Sequence, residues 1–509
     1  MKKIALVAVA LFVLAGIGLF IAVRLLLSPD SVRSAIEAQA SAALGMPVKA
    51  GAVSVQLWPR AGLRLADVRV GEPTQVTLRR ALLSTGLWPL LSRRVEDAEV
   101  IVEDSRVDLI QLLATLDRLG SAEASAQAKG SSPPAFTIAS VRTIGLRNVE
   151  LMIGKRRAIV SVESSLSGDR LDIARLSARS EGSQLEATGS VKSLTRPVAR
   201  LDIVADPLDL DGLLELAAAF SGRPPSGARA PARGKPMTID LGAKVRAKNG
   251  RFAGMTFTDL ETTIAVTPER VRLSPLALRL FDGGVEGAIS IGLGSPPELR
   301  VAGTLNDIDV QKLAAFAGQP SAITGRLNGR TKVSGRGLDP ASALQVARGT
   351  ADVAIVKGRM PGLDLVRPVV LFFGRPKGAP PAGGGEAFER IAATLAIDQG
   401  VIQTDNLAFE SRDVDMTGAG SLTTAGGTLD VRANLLLSEE LSAQAGRDLV
   451  RYTREGNRVV LPATITGTVA SPRVMIDEAA AAKRAIRNEL ERRTKSVLDK
   501  LLRRKKPES

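Results

Sequence analysis

The sequence predicts a mainly β protein with an N-terminal transmembrane helix, in which an elongated, twisted antiparallel β-sheet forms a repeating groove. Short linking helices and a C-terminal amphipathic helix complete this fold class. Three observations predict it: an uncharged N-terminal run, strand-like alternation of apolar and polar residues along most of the chain, and a composition of 45% hydrophobic but only 3% aromatic residues. A core filled by Val, Leu, Ile and Ala suits long, thin sheets.

The N-terminal run is predicted to be a membrane anchor. Lys2 and Lys3 precede twenty uncharged residues, Ile4–Val23, and a helix rising about 1.5 Å per residue then spans a hydrocarbon core of about 30 Å. A cleaved signal peptide is the alternative, but its apolar region would be shorter. We therefore expect an uncleaved single-pass anchor with a cytoplasmic N-terminus and an exported bulk. Ser28 and Pro29 then predict the start of a short helix.

The stretch Gly45–Val70 predicts a β-hairpin with a Trp-Pro turn. Val53, Val55 and Leu57 alternate with polar residues, and the second half of the stretch alternates in the same way. One face of each strand is therefore apolar. Pro59 presets the backbone angle that a tight turn needs.

A second Trp-Pro pair, Trp88-Pro89, precedes an alternating stretch, Val95–Val107, that predicts one further strand. Val107–Leu119 then predicts a helix. The segment that follows is rich in Ser and Ala and low in apolar bulk, and it predicts a loop.

The middle of the chain is predicted to contain diverged copies of one β unit. Gly189 precedes Leu201 by twelve residues, and Gly287 precedes Leu299 by the same spacing. Each copy continues into an Asp-x-Asp sequence and an aliphatic helix, and a third partial copy begins at Leu407. Repeated strand units stack their apolar faces into a continuous surface.

Stretches rich in Pro, Gly and Ser divide the chain. The predicted parts are a cytoplasmic start and anchor (1–27), a helix with hairpins (28–119), a loop (120–135), a first β repeat (136–220), a linker (221–236), a second β repeat (237–373), a linker (374–386), a C-terminal β region (387–477) and a basic amphipathic helix with tail (478–509).

The formal charge of +15 is spread thinly except at the C-terminus, where Asp477–Ser509 holds 11 Lys and Arg against 6 Asp and Glu. Ile486 and Leu490 mark one stripe of a predicted helix from Glu478 to Lys506. Such a basic amphipathic helix lies on a membrane surface, binds a partner helix or packs on its own domain. Because no basic stripe is interleaved with aromatic residues, no nucleic-acid partner is expected.

The sequence offers little for catalysis. Cys and His are absent, which excludes thiol chemistry, disulfides, Cys/His zinc sites and Ser/His arrangements. The pairs Asp209 with Asp211 and Asp307 with Asp309 fit helix caps and first-turn charges better than an acid/base or Ca²⁺ site. We therefore expect no enzymatic activity, no metal and no cofactor.

Two regions carry a family resemblance. One is Leu44–Val70, which lies just behind the hydrophobic N-terminus, and the other is Asp398–Asp477, which includes GVIQTDNLAFES, VDMTGAGSLT, GTLDVRANLLLS and ITGTVASPRVMID. Together they resemble the AsmA family, and the middle of the chain resembles it in architecture. The family-motif residues in the first region are Gly45, Pro47, Trp58, Pro59, Leu65 and Val68.

The resemblance implies a repeating β-groove, bridge-like lipid transfer protein, anchored in the inner membrane with its groove in the periplasm. The implied partners are phospholipids, the inner membrane through Ile4–Val23, and an outer-membrane or other envelope protein. Such a protein carries phospholipid acyl chains toward the outer membrane and supports envelope integrity. A periplasmic scaffold or regulator of outer-membrane protein assembly, without lipid transport, is the alternative.

The alternating strands supply candidate lipid-groove residues. These are Val53, Val55, Leu57, Leu395, Ile397, Leu407, Phe409, Leu429, Val431 and Ile465. On this hypothesis Val431→Asp places a charge in the groove and blocks acyl passage, whereas Thr428→Asp nearby is tolerated.

Overall fold

The computed structural model shows two compact units, Met1–Pro268 and Glu269–Ser509, here called the N-terminal and C-terminal units. The described residues are 29–44, 46–56, 60–72, 74–86, 94–108, 137–138, 140–153, 156–180, 182–193, 197–213, 240–294, 296–316, 323–337, 345–374, 377, 380, 385–443, 454–455, 458–487, 490 and 494. β-Strands make up most of the described residues, so the predicted mainly β fold is confirmed.

The N-terminal unit begins with a helix on a small sheet. Its first elements are α1 (Pro29–Leu44), β1 (Val48–Lys49), β2 (Ala52–Gln56), β3 (Ala61–Val70), β4 (Val76–Thr85), β5 (Arg94–Val95), β6 (Ala98–Glu103) and β7 (Arg106–Asp108). The predicted hairpin is confirmed, since β2 pairs antiparallel with β3 and Val53 lies opposite Leu65. The predicted helix is also confirmed, with Ile36 and Ala40 of α1 buried against these strands.

The single strand predicted for Val95–Val107 is wrong, because the chain breaks it twice. Asp97 and Asp104 both adopt positive φ, 52° and 48°, a conformation that interrupts a strand and that Asp tolerates better than most residues. Val107 lies in β7, which also corrects the predicted helical start at this residue. Asp108 lies in the same strand, and residues 109–119 of that predicted helix lie outside the described residues.

The remaining strands of this unit are β8 (Thr137–Ile138), β9 (Ser140–Ile153), β10 (Arg156–Ser167), β11 (Arg170–Ser180), β12 (Gln184–Lys192), β13 (Val198–Ala205), β14 (Leu208–Asp209), β15 (Asp240–Phe252) and β16 (Met255–Val266). The prediction of an antiparallel sheet is wrong at three places in this unit. β5 pairs parallel with β8, β6 and β7 pair parallel with β9, and β13 and β14 pair parallel with β15. Parallel neighbours need a long crossover, and residues 109–136 and 214–239 provide it.

The C-terminal unit contains β17 (Arg270–Leu280), β18 (Gly283–Gly292), β19 (Glu298–Asp309), α2 (Val310–Phe316), β20 (Arg326–Arg336), β21 (Arg348–Met360), α3 (Val366–Phe372), β22 (Glu386–Asp398), β23 (Val401–Glu410), β24 (Val414–Thr423), β25 (Thr428–Leu437), α4 (Glu439–Ala443), β26 (Arg454–Glu455), β27 (Arg458–Thr468) and β28 (Ser471–Ile476). Each described strand pairing within it is antiparallel. Residues 478–487 then form a helix, as predicted for the start of the C-terminal tail.

Three hairpins share one irregularity. The register between β11 and β12 shifts between Ile173 and Leu176, where β11 holds one extra residue, and the same one-residue bulge occurs in the pairs β17 with β18 and β23 with β24. This bulge bends the strand, and it is the feature that the three hairpins have in common. The predicted equivalence of glycine spacings is wrong, because Gly189 pairs with Leu201 whereas Gly287 pairs with Gly303. Equal spacing along the chain does not give equal register across it.

Among the described residues, no helix is both long and apolar enough to cross a membrane. The predicted anchor Ile4–Val23 lies outside them. The predicted linker 221–236 also lies outside the described residues.

Candidate functional site

One face of each sheet is built from aliphatic side chains. In the N-terminal unit the register places a line of them across neighbouring strands: Val162, Leu176, Ala187, Ile203 and Val245. The alternate positions on the same strands are polar, such as Arg175, which donates a hydrogen bond to Glu186 at 3.0 Å. Strand alternation therefore separates an aliphatic face from a polar face.

The C-terminal unit repeats this arrangement. Its clearest line, here called the aliphatic row, consists of Leu273, Ile289, Val301 and Val333 on β17–β20. All four side chains are half-buried. Within the described residues, no charged side chain interrupts this row in the register. Such a surface can hold apolar chains by burial of aliphatic area, without directional contacts.

Glycines lie beside the aliphatic row where the strands approach closely. Gly287 pairs with Gly303, and a Cβ atom on Gly287 would lie 2.2 Å from the Ala302 carbonyl oxygen. A Cβ atom on Gly303 would lie 2.5 Å from the Glu286 carbonyl oxygen. Only glycine fits there, and glycines together with bulges are the elements that curve a sheet.

Helices cover the aliphatic face near the beginning of the N-terminal unit and near the end of the C-terminal unit. In the first case α1 contributes Ile36 and Ala40 to a buried cluster with Leu63 and Leu65. In the second, Val369 of α3 and Leu441 of α4 join a buried cluster with residues of β22–β25 and β27. These regions are closed cores, in contrast to the half-buried aliphatic row.

Some of the predicted groove residues are half-buried on an aliphatic face, and others are buried in the closed cores. All described members lie on the aliphatic faces. The half-buried ones are Leu395, Ile397, Leu407 and Leu429. The buried ones are Val53, Phe409, Val431 and Ile465. Val55 is 37% exposed, and Leu57 lies outside the described residues.

Of the family-motif residues, Leu65 and Val68 are buried in the N-terminal core. The carbonyl oxygen of Pro47 accepts a hydrogen bond from the N–H of Gly71 at 2.9 Å. Gly45, Trp58 and Pro59 lie outside the described residues. The aliphatic row itself escaped the sequence reasoning, although the alternation Val271, Leu273 on β17 and Ile289, Ile291 on β18 was a usable signal.

The Asp-x-Asp sequences serve the fold, as predicted. Asp309 Oδ1 accepts a hydrogen bond from the N–H of Lys312 at 3.1 Å, and Asp209 Oδ1 accepts one from the N–H of Gly212 at 3.1 Å. Asp209 also accepts a 2.7 Å hydrogen bond from Arg251 Nη2. This hydrogen bond from Arg251 is the main cause that lowers the pKa of Asp209, against the opposing effect of burial.

Asp209→Asn is expected to destabilise the N-terminal unit by about 2 kcal/mol at neutral pH, because Asn can still cap the helical turn but cannot pair with Arg251. The pKa of Asp209 is lower in the folded state, so its contribution is present above the unfolded-state value of about 3.9. It is lost as the pH falls through the folded pKa. Urea unfolding at pH 7 and in acid measures this difference.

The matched control is Asp202→Asn, since Asp202 is exposed on the polar face of β13. It should leave stability unchanged at both pH values. A wild-type-like pH profile for Asp209→Asn would contradict the assigned role.

One buried carboxylate remains. Burial raises the pKa of Glu386, which accepts a hydrogen bond from the N–H of Leu365 and a long one, 3.4 Å, from the Ser411 hydroxyl. It lies at the start of β22, at the end of the closed core. In the part of the chain that the structure describes, no group of three or more acidic side chains is placed to hold a metal ion.

Comparison with known proteins decides the family. The sequence model of the family described as "AsmA family" matches residues 134–407, which is more than half of the chain. The chain belongs to the AsmA family. The match lies mainly in the middle of this AsmA-family chain, whereas the sequence motifs that suggested the family lie mostly in the first and last quarters.

Protein AsmA of Escherichia coli (strain K12) is 22% identical over 295 residues, which cover 53% of this AsmA-family chain and 47% of the relative. The chain therefore spans about half the length of the curated relative it matches. No solved structure matches it.

Proposed function

We propose that this AsmA-family protein binds phospholipid acyl chains along the aliphatic faces of its sheets and moves them toward the outer membrane, supporting envelope integrity. It does so from the inner membrane, held by the N-terminal run, with its bulk in the periplasm. It needs no enzymatic activity and no cofactor, because chains slide on an aliphatic surface without directional bonds.

The observation that carries this proposal is the half-buried aliphatic row of the C-terminal unit. A row of that kind can contact a lipid chain, whereas a closed core cannot. The polar faces of the same strands hold Arg and Lys, which face water, so the aliphatic face is the side on which an acyl chain can be buried. The resemblance to bridge-like lipid transfer proteins supports the same function.

The alternative is a periplasmic scaffold, or a regulator of outer-membrane protein assembly, that transports no lipid. The two closed cores favour it, since helices already occupy the aliphatic faces there. The two functions differ in whether lipid is bound at the aliphatic row, so this row is where the experiment belongs.

The test is mass spectrometry of lipids extracted from the purified full chain after gentle removal of detergent. Val301→Asp places a charge in the aliphatic row, and a buried charge beside an acyl chain weakens local binding on the order of 100-fold. We therefore expect the amount of bound phospholipid to fall by at least about half.

Asn306→Asp is the matched control, because Asn306 lies on the same strand, β19, is exposed, and does not line the aliphatic row. It should retain the wild-type amount of lipid, and circular dichroism should show both variants folded. Equal lipid content in the two variants would overturn the groove, and an absence of lipid in the wild type would favour the scaffold.

A further inference from the structure

A line of basic side chains crosses the polar face of the C-terminal unit. The register places five residues of β17–β21 in one line: Arg272, Ser290, Arg300, Ser334 and Arg348. Lys332 lies two residues from Ser334 on the same face of β20. These six residues line a shallow cleft of about 610 Å³. The basic row is here defined as Arg272, Arg300, Lys332 and Arg348.

The basic row keeps an excess of positive charge. Arg300 pairs with Glu298 at 2.8 Å and Arg348 pairs with Asp398 at 2.9 Å. In the described part of the chain no ion pair involves Arg272 or Lys332, and no carboxylate lines the cleft. All four side chains of the basic row are exposed, so the excess charge faces solvent.

The spacing of the basic row indicates what kind of anion it fits. Adjacent strands lie about 4.8 Å apart, so arginines on alternate strands are separated by about 10 Å. A single phosphate accepts hydrogen bonds at about 2.8 Å and cannot contact all of them. An array of several anionic groups, spread over one plane, matches the row better.

Two exposed apolar side chains lie at the same end of the strands. Leu293 follows the last residue of β18 and is 50% exposed, and Val346 lies two residues before β21 and is 46% exposed. Exposed apolar residues are common when scattered singly. Here they lie beside a basic row. Segments that bind at a membrane interface pair apolar side chains, which enter the interface, with basic side chains, which contact the head groups.

We propose that this end of the C-terminal unit docks on the surface of a bilayer that contains anionic lipids. The basic row contacts the head-group phosphates, and Leu293 and Val346 enter the interface. A protein partner fits less well, because aromatic residues are enriched and lysines depleted at protein interfaces, whereas Lys332 and no aromatic residue line the cleft. This docking does not require lipid on the aliphatic face, so it stands apart from the proposed function.

The experiment uses the full chain held in phosphatidylcholine nanodiscs and measures its co-sedimentation with separate vesicles. The vesicles contain phosphatidylcholine alone or with one part in three of phosphatidylglycerol. The test variant Arg272→Ser/Lys332→Ser/Arg348→Ser removes three cations. Each cation near an anionic surface contributes about fivefold in affinity, so binding to the anionic vesicles should fall on the order of 100-fold.

The control variant Arg179→Ser/Lys244→Ser/Arg246→Ser removes the same charges from exposed positions on the polar face of the N-terminal unit. It should bind the anionic vesicles nearly as the wild type does. Leu293→Ser/Val346→Ser should weaken binding at high salt, where apolar insertion dominates.

Three outcomes would overturn the proposal. One is equal binding of the two triple variants, which would leave the cleft to an acidic protein. Another is wild-type binding to neutral vesicles that equals binding to anionic ones. The third is displacement by inorganic phosphate at constant ionic strength, which would indicate a site for one free phosphate.

Discussion

Val431→Asp is expected to unfold the C-terminal core. Val431 is only 8% exposed and packs in a cluster with Leu435 and Leu461. Across the sheet it lies opposite Gly420 and Ile465, and neither side chain can pair with a carboxylate. An unpaired buried charge costs about 4 kcal/mol or more, so urea unfolding should show the C-terminal unit destabilised by at least this amount.

Thr428→Asp is the control, since Thr428 is exposed at the start of β25. Its stability should stay within about 0.5 kcal/mol of the wild type. The structure therefore corrects the purpose of this pair: Val431 tests the core, and loss of lipid in Val431→Asp would only reflect unfolding. A fully folded Val431→Asp would contradict the packing described for this cluster.

Gly358→Ala is expected to lower the free energy of unfolding by about 3 kcal/mol, although it adds a single methyl group. A Cβ atom on Gly358 would lie 2.1 Å from the Thr324 carbonyl oxygen and 2.3 Å from the ring of Phe388. That ring packs against Phe409, with centroids 5.6 Å apart. Relief of the clash must therefore displace either the backbone or this aromatic pair, and thermal unfolding measures the cost.

Gly284→Ala provides the comparison, because the nearest atom to its added Cβ would be 3.9 Å away. We expect no loss of stability there, and a small gain from the reduced freedom of the unfolded chain. If the two alanine variants unfold at the same temperature, the close approach at Gly358 is not a constraint.

Strand alternation predicted the faces of this protein well. Residues chosen only by alternation, such as Leu395, Leu407 and Leu429, all lie on the aliphatic face. The reason is physical, since the two-residue period of a strand is local and each residue reports its own face. The hairpin of β2 and β3 and the caps at Asp209 and Asp309 were also predictable, because each depends on residues that are close together in the sequence.

Features that depend on distant parts of the chain were not predictable. Alternation could not tell that α3 and α4 join the cluster that buries Phe409, Val431 and Ile465, because the alternation of a strand carries no information about which helix packs on it. The bulge between Ile173 and Leu176 adds one residue to β11, so it interrupts the two-residue alternation there and changes which residues lie opposite one another. Neither effect can be read from the spacing of glycines along the chain. The parallel pairings could not be predicted from alternation, because each one joins strands that are separated by many residues in the sequence.

Those parallel pairings bear on the order in which the chain can assemble. In the C-terminal unit most strands pair with the next strand along the chain, so its contacts are local and hairpins can add one after another. In the N-terminal unit β9 cannot join β6 until residues 109–136 have closed, nor β15 join β13 before residues 214–239 have done so. Loop closure of this length costs entropy before any contact rewards it, which slows folding. The half of the chain that is synthesised first is therefore the half that needs more time with its strand edges unpaired.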